Sequence, residues 1–352
     1  MSSALAIYRL PHTDYATLIQ QTDGEPERLR SCVELNGRKG FVVAPFEVTE
    51  EQPILLIRPD RVERKKVEGD DLGGNTLQQD YSPSTLHLPP STTYSIDFAN
   101  FHSQLEADRF RKIVLARCVE ETMEEPLDPL TLFYRACALY PRMFIALVDT
   151  ERSGCWLTAT PEIMLEGVGQ DWRTIALAGT MKLEGDQLDG EGEALRWSTK
   201  NIQEQRIVAT YITECLEQFT GDFQEDGPRT VRAANLVHLR SDFIFKLADN
   251  NHIGDLLQAL HPTPAVCGLP KREAFQFIVK NEHTPRRYYS GFMGMLDPGS
   301  ETHLYVSLRC MNIENNHYRL YAGGGLLKDS TEEQEWQETE AKLETMRSLL
   351  YV

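Results

Sequence analysis

Two carboxylates and an ammonium group near the end of the chain have a spacing that could support chemistry. Glu335, Glu338 and Lys342 stand at i, i+3 and i+7, so a helix would place them on one face. Such a face could hold a divalent cation beside an anionic ligand. A solvated acidic helix, whose carboxylates complement the helix dipole, would explain the same pattern without any site.

The residues before this face predict the elements that position it. Residues 318–322 alternate between apolar and polar, as in a half-buried strand, and the glycines at 323–325 predict a turn whose amides a ligand could approach closely. Ser330 with Glu333 three residues later is a capping-box pattern, which predicts a helix from about Thr331. The sequence therefore predicts strand, glycine turn, strand and helix.

Two further ionisable residues stand inside apolar strand patterns. Lys112 belongs to an alternating stretch at 109–121, and Glu162 follows Pro161 within an apolar run at 155–165. Burial disfavours a charge, so a buried lysine can become a base and a buried carboxylic acid can stay protonated near neutral pH. The ordinary alternatives are a lysine that reaches water from a strand end and a carboxylate on an exposed edge.

Composition limits the possible partners and compartment. The chain has 36 Lys and Arg against 53 Asp and Glu, a net charge of −17, which argues against nucleic acid and anionic membranes as partners. Its seven cysteines are scattered without a CxxC pair, which is typical of a reducing compartment. Neither a secretion signal nor an apolar run of membrane length is visible. We therefore expect a cytoplasmic protein that does not bind membranes.

The order of predicted elements indicates an α+β fold. Helices are predicted at 97–108, 128–139 and 200–219, and the runs at 155–165 and 303–313 are each predicted as one strand. In the first of these strands residues 160–162 are expected to interrupt the hydrogen-bond ladder, because Pro161 has no N–H to donate. Residues 61–95 are predicted to be a connection over the surface, and the acidic loop at 184–194 is a candidate lid.

Eight segments, in order over roughly residues 100–350, resemble the chorismate-utilising enzymes, which are related to anthranilate synthase component I. Within that family the resemblance is strongest to the isochorismate synthases. The segments are KIVLAR at 112–117, TPE at 160–162, ALAGT at 176–180, KNIQEQRIV at 200–208, HPTPAVCGLPK at 261–271, YYSGFMG at 288–294, SLR at 307–309 and YAGGG through EWQETEAKL at 321–343.

The resemblance implies a single domain over 1–352, with a catalytic core at 100–350 and a weakly matching N-terminal part at 1–95. The family fold implies two stacked antiparallel β-sheets flanked by helices, with a central cleft, in a monomer. The implied reaction is the Mg²⁺-dependent conversion of chorismate to isochorismate, which serves menaquinone or siderophore biosynthesis. Water would attack C2 of the ring and the C4 hydroxyl would leave.

The resemblance also implies a role for each matching residue. Lys112 would deprotonate the attacking water, and Glu162 would protonate the departing hydroxyl. Glu204, Glu335 and Glu338 would hold Mg²⁺. The remaining matches would bind the substrate, and these are Ala178, Gly179, Thr180, His261, Thr263, Tyr289, Arg309, Gly323, Gly324, Gly325 and Lys342.

Three positions distinguish this chain within the family. Lys112 stands where relatives that use ammonia carry Gln, and Ala178 stands where aminodeoxychorismate synthases carry a nucleophilic Lys. Both differences favour water as the nucleophile. Gln205 replaces the His that commonly follows the metal-binding Glu, which alters the expected support of Glu204. Two alternatives stay open: a salicylate synthase that also eliminates pyruvate, and a non-catalytic protein that binds chorismate.

Overall fold

The structure is a computed structural model that describes residues 4–67, 90–183, 196–233 and 236–351. Within these ranges the chain forms two nine-stranded sheets in which paired strands run antiparallel, with six α-helices around them. The predicted α+β class and the two-sheet architecture are confirmed. Among the described residues, no helix is both long and apolar enough to cross a membrane.

The strands in chain order are β1 (Ala4–Arg9), β2 (Tyr15–Gln21), β3 (Glu27–Leu29), β4 (Gly40–Ala44), β5 (Ile54–Ile57), β6 (Arg61–Lys66), β7 (Lys112–Thr122), β8 (Phe144–Thr150), β9 (Gly154–Thr160), β10 (Ile163–Val168), β11 (Asp171–Lys182), β12 (Phe223–Ala233), β13 (Leu236–Lys246), β14 (Gly268–Leu269), β15 (Phe292–Leu296), β16 (Glu301–Val306), β17 (Cys310–Glu314) and β18 (His317–Leu326). The helices are α1 (Thr92–Glu106), α2 (Pro129–Leu139), α3 (Thr199–Leu216), α4 (Ile253–Leu260), α5 (Lys271–Asn281) and α6 (Glu332–Leu350).

Both sheets combine strands from distant parts of the chain. The order in the first sheet is β14-β7-β18-β17-β9-β8-β1-β2-β6, and the order in the second is β12-β13-β11-β10-β16-β15-β4-β5-β3. The N-terminal strands are thus full members of the sheets, since β1 pairs with β8 and β4 pairs with β15. Strand β6, within the predicted surface connection at 61–95, is an exposed edge strand instead.

The two sheets stack face to face around a shared apolar core, which includes Tyr8, Phe41, Phe144, Trp156 and Met293. Helices cover the outer faces. Helices α2 and α6 pack on the first sheet, α3 and α4 pack on the second, and α1 and α5 lie against β7. Burial of these apolar faces is the main force that holds sheets and helices together.

Two stretches of the chain cross from one sheet to the other, and the two crossings lie side by side. The runs at 155–165 and 303–313, each predicted as one strand, are both broken in the middle. Strands β9 and β17 pair in the first sheet, whereas their continuations β10 and β16 pair in the second. The crossings at 160–162 and 307–309 therefore lie together between the sheets.

The glycine run is not a turn, contrary to the prediction. Residues 323–325 continue β18 and pair with 114–116 of β7 in unbroken register. The C-terminal capping box is also wrong, because Thr331 rather than Ser330 caps α6 and no side-chain capping bond forms. The Ser330 hydroxyl instead accepts a hydrogen bond from the Leu327 amide at 3.0 Å.

Other differences concern element boundaries. Helix α1 begins at Thr92, five residues before the predicted start, where Ser91 accepts a bond from the Tyr94 amide. The Asp128 cap of α2 is confirmed, because its carboxylate accepts from the Thr131 amide at 2.9 Å. Strand β12 was not predicted, since its residues are mostly polar and only one of them is buried. The candidate lid at 184–194 lies outside the described residues.

Candidate active site

A cleft lies where the two crossings meet the ends of β11, β18 and the helices α3 and α6. The residues that line it come from both sheets. Those predicted from the sequence are Glu162, Ala178, Gly179, Thr180, Glu204, Tyr289, Arg309, Gly323, Gly325 and Lys342. The others are Val114, Pro161, Leu177, His238, Ala265, Val266, Leu308, Tyr321 and Ala322.

Glu162 occupies the first crossing, immediately after Pro161. Its backbone is fixed because its carbonyl accepts from the Val306 amide at 2.9 Å, so its carboxyl is held at the cleft wall. Burial raises the pKa of Glu162 to about 8, against the opposing influence of Lys112, Lys342 and Arg309. A carboxyl in this environment is protonated at neutral pH and can donate a proton into the cleft.

Arg309 occupies the second crossing and is buried, with its backbone in the left-handed region at φ 45°. Its guanidinium donates to the ring of His238 and to the Ala233 carbonyl at 3.3 Å. Because Nε2 of His238 must accept this bond, the ring is neutral. Burial, together with Arg309, also holds the pKa of His238 well below its usual range. The result is a fixed guanidinium at one end of the cleft.

A β-bulge in β11 shapes the opposite wall. The register shifts between Ala178 and Thr180, and Gly179 adopts φ 71°, which glycine tolerates without strain. The Gly179 amide then donates to Oε2 of Glu204 at 3.2 Å. An added side chain at Gly179 would lie 3.1 Å from Asn201 of α3, so the glycine also lets α3 approach closely.

Lys112 lies behind this wall and is fully buried, which excludes the alternative of a lysine that reaches water. Its Nζ is 2.9 Å from Oε1 of Glu204. Burial alone would raise the pKa of Glu204, but Lys112, with Lys342 and Lys200 nearby, lowers it below its usual range. Glu204 is therefore a carboxylate anion that faces the cleft.

The glycines of β18 make room for these side chains. A Cβ at Gly325 would lie 2.2 Å from Oε1 of Glu204 and 2.6 Å from Cε of Lys112. A Cβ at Gly323 would lie 2.7 Å from the Tyr289 hydroxyl. The run is thus required by the approach of side chains from α3 and β7, rather than by a turn.

The three carboxylates predicted to bind Mg²⁺ are each neutralised by a lysine. Glu204 pairs with Lys112, Glu335 pairs with Lys200, and Glu338 is 2.7 Å from Lys342. In this arrangement no three His, Cys, Asp or Glu side chains of the described residues form a ready-made metal cluster.

The same residues nevertheless fit a hard divalent cation. Carboxylate oxygens are the ligands that Mg²⁺ prefers. Oε2 of Glu335 is buried and has no hydrogen-bond partner among the described residues. A Cβ at Gly324 would lie 3.0 Å from that oxygen and 3.9 Å from Oε1 of Glu338, so both carboxylates border one space. Burial, and next the charge of Glu338, raises the pKa of Glu335 to about 7.

Lys342 links the cation side of the site to the cleft. Its Nζ donates to the Gly323 carbonyl at 2.9 Å as well as to Glu338. Lys342 and Arg309 together provide two cationic groups in the lining, as binding of a dianion would require.

His261 and Thr263 are not among the residues that line the cleft. Nε2 of His261 lies 3.1 Å from the Pro45 carbonyl, and its ring packs edge-on against Phe292. Burial lowers the pKa of His261 to about 3, so the ring is neutral. From the same segment, Ala265 and Val266 form the wall instead.

A buried ion pair between Glu282 and Arg286 supports β7 from outside the cleft. The carboxylate accepts from the Ala116 amide at 2.8 Å, and the guanidinium donates to the carbonyls of Val114 and Val266 at 2.8 and 2.7 Å. Strand β14 ends opposite Ile113, so these side chains take over the free edge of β7. They fix the backbone on either side of Val114 in the cleft wall.

Sequence reasoning missed two charged or polar residues of the site. His238 stands in an apolar strand pattern at 236–239, and a polar residue in such a pattern is the signal that could have identified it. Lys200 was not among the residues predicted for the site. Its partner Glu335 is 135 residues away, and no local pattern shows that contact. Gln205 donates to the Ser241 hydroxyl at 2.7 Å and thereby ties α3 to β13.

Comparison with known proteins agrees with this geometry. The profile of the family described as chorismate binding enzyme matches residues 39–351. Isochorismate synthase EntC of Escherichia coli (strain K12) is 30% identical over 74% of this chain and 67% of that protein. The salicylate biosynthesis isochorismate synthase of Pseudomonas aeruginosa is 36% identical over 70% of this chain and 52% of that protein.

Among solved structures, MenF of Escherichia coli, described as a menaquinone-specific isochorismate synthase, superposes with a TM-score of 0.81. The superposition covers 99% of this chain and 88% of MenF at 24% identity, so it shows a shared fold. The family profile covers every residue that lines the cleft and all the strands except β1, β2 and β3. The chain belongs to the family of chorismate-binding enzymes.

Proposed function

We propose that this protein is an isochorismate synthase, which converts chorismate to isochorismate with the help of Mg²⁺. The observation that carries the proposal is a cleft with a buried carboxyl, Glu162, in its lining and a buried lysine, Lys112, behind its wall and next to Glu204. The reaction needs one group that gives a proton and one that takes a proton. The family and the named relatives support the same substrate.

In this proposal Glu162 protonates the C4 hydroxyl as it leaves, because hydroxide is a poor leaving group. Lys112 is assigned to take a proton from the water that forms the new bond at C2, a role that requires its neutral amine rather than the ammonium that pairs with Glu204. One water enters and one leaves, so the overall change is an isomerisation. The raised pKa of Glu162 supports the acid role, because its proton is present at neutral pH.

Substrate binding is assigned to the cationic groups of the lining. The planar guanidinium of Arg309 suits two-point contact with one carboxylate of chorismate. Lys342 suits the other carboxylate, near Gly323. Leu177, Val266 and Leu308 provide apolar contacts for the ring and exclude bulk water. Tyr289, Ala178 and Thr180 complete the proposed substrate contacts.

Glu204, Glu335 and Glu338 would hold the Mg²⁺ ion. When bound, the ion would neutralise a substrate carboxylate and orient it for the reaction. The proposal also resolves a charge problem, since an acidic protein can bind a dianion where a cation and two basic side chains meet it.

The test is a product analysis with the purified full-length chain, chorismate and either Mg²⁺ or a chelator. Isochorismate that forms only with Mg²⁺, and that returns to chorismate when supplied alone, is the expected result. Stoichiometric pyruvate and salicylate would instead establish the salicylate synthase alternative. Chorismate binding without turnover would establish the non-catalytic alternative. The matched control is Lys112→Gln, which should keep the fold and lose turnover.

A further inference from the structure

Lys200 occupies a position that the proposed reaction does not use. It lies in the first turn of α3, one helical turn before Glu204, and its ammonium contacts Oε1 of Glu335 on α6. The lysine side chain is 21% exposed, whereas the Glu335 side chain is 1% exposed. One end of this ion pair is therefore fixed inside the protein, and the other end has a path to solvent.

Glu335 is a costly residue to leave without a counter-charge. It is buried, and the carboxylate of Glu338 lies one turn along the same helix. Lys342 neutralises Glu338 and Lys112 neutralises Glu204, so Lys200 completes a set of three lysines for three carboxylates. Two like charges in a buried space repel strongly when neither is compensated.

The contact also blocks one of the oxygens that a cation would need. A divalent cation such as Mg²⁺ requires direct access to carboxylate oxygens, and an ammonium on Oε1 of Glu335 takes one of them. The ammonium and the cation therefore compete for the same carboxylate.

We propose that Lys200 is a displaceable counter-ion of the cation site. It neutralises Glu335 in the metal-free chain and leaves toward solvent when a divalent cation binds. The inference rests on the proposed function, because it takes the cation site to be the one formed by Glu204, Glu335 and Glu338. Lys200 thus stabilises the metal-free protein and weakens the affinity for the cation.

The test compares Mn²⁺ binding by the metal-free full-length chain and its Lys200→Gln variant, with electron paramagnetic resonance or calorimetry as the readout. Binding by the variant should be about three- to tenfold tighter, since no ion pair has to be broken. Its melting temperature without metal should fall by about 2 °C, so the stabilisation on adding Mn²⁺ should grow. If the substitution only damaged the site, the variant would bind Mn²⁺ more weakly than the wild type, which is the opposite of the expected change.

Two further variants complete the design. Lys200→Arg keeps the positive charge and should keep wild-type affinity within about twofold. Lys328→Gln removes a lysine of the surface pair with Asp108 and should leave Mn²⁺ affinity unchanged. Unchanged or weaker Mn²⁺ binding by Lys200→Gln would overturn the proposed role of Lys200 and leave the cation site and the reaction untouched. A wild-type chain that binds no Mn²⁺, yet forms isochorismate, would overturn the role of Lys200 and the cation site but not the reaction.

Discussion

Glu162 and Glu204 are both buried carboxyl groups in the lining of one cleft, yet their acidities are shifted in opposite directions. Burial raises the pKa of Glu162 to about 8. Glu204 experiences the same desolvation, but Lys112 at 2.9 Å and the Gly179 amide at 3.2 Å stabilise its charge. Its pKa lies below the usual range.

The difference shows that contact with a donor, rather than depth of burial, decides the charge of a carboxyl in this site. Lys112 also acts on Glu162, but only through longer-range attraction, and desolvation outweighs that attraction. One lysine therefore keeps its neighbour ionised and leaves the more distant carboxyl protonated. The site thus contains an acid and an anion at the same pH.

Removal of Lys112 should have the largest effect, because this lysine lowers the pKa of both Glu162 and Glu204. We expect Lys112→Ala to lower turnover of chorismate by about 10³-fold or more. The free energy of unfolding should fall by about 3–5 kcal/mol, since Glu204 would stay buried without its partner. Steady-state kinetics and urea denaturation measure the two effects. Normal turnover by this variant would rule out Lys112 as the base.

Glu162→Gln should lower kcat by about 10²- to 10³-fold while it stabilises the protein. Between about pH 4.5 and 8 the folded wild type keeps a proton on Glu162 that the unfolded chain releases. Wild-type stability is therefore lost as pH rises through this window, and the Gln variant lacks that loss. Melting curves at pH 5 and 8 should show the larger gain at pH 8.

The pH profile of wild-type kcat/KM gives an independent reading of the same group. Activity should fall above about pH 8, where Glu162 loses its proton. A profile that stays flat to pH 9 would argue against Glu162 as the acid.

Two glycine variants separate the pair of Glu204 and Lys112 from the carboxylate of Glu335. Gly325→Ala would place a methyl group against Glu204 and Lys112, and we expect about a 10²-fold loss of turnover. Gly324→Ala would press only on Glu335, at 3.0 Å, and should weaken Mn²⁺ binding by about tenfold with a smaller effect on kcat at saturating metal. If both variants lost turnover and Mn²⁺ affinity to the same extent, the substitutions would disturb strand β18 as a whole rather than the separate spaces beside Gly324 and Gly325.

Arg309→Lys should have the smallest effect, and it tests binding rather than proton transfer. The variant keeps the charge but loses the planar two-point contact, so KM for chorismate should rise by about tenfold with kcat nearly unchanged. The matched control is Arg287→Lys. Arg287 contacts Asn312 and does not line the cleft, so this substitution should leave KM for chorismate unchanged.

The sequence predicted which residues lie together at the cleft better than it predicted the path of the chain. Lys112 and Glu162 were identified because an ionisable residue in an apolar strand pattern is conspicuous, and both are buried. The sheet crossings were missed because the apolar runs on both sides of residues 160–162 and 307–309 match strands of one sheet as well as strands of two sheets. The turn at Gly323 was wrong for a related reason, since the space is required by Glu204 and Tyr289, which are remote in sequence.

The side-by-side crossings have a consequence for how the protein folds. Glu162 is fixed through the pairing of β10 with β16, and its neighbours on β9 pair with β17, so each contact spans more than 130 residues of chain. Long-range pairings of this kind form slowly, because a large loop must close before any contact rewards it. Glu162, the proposed proton donor, can therefore take its place only after the middle and the end of the chain have met. An intermediate with either sheet alone would be inactive however stable it was.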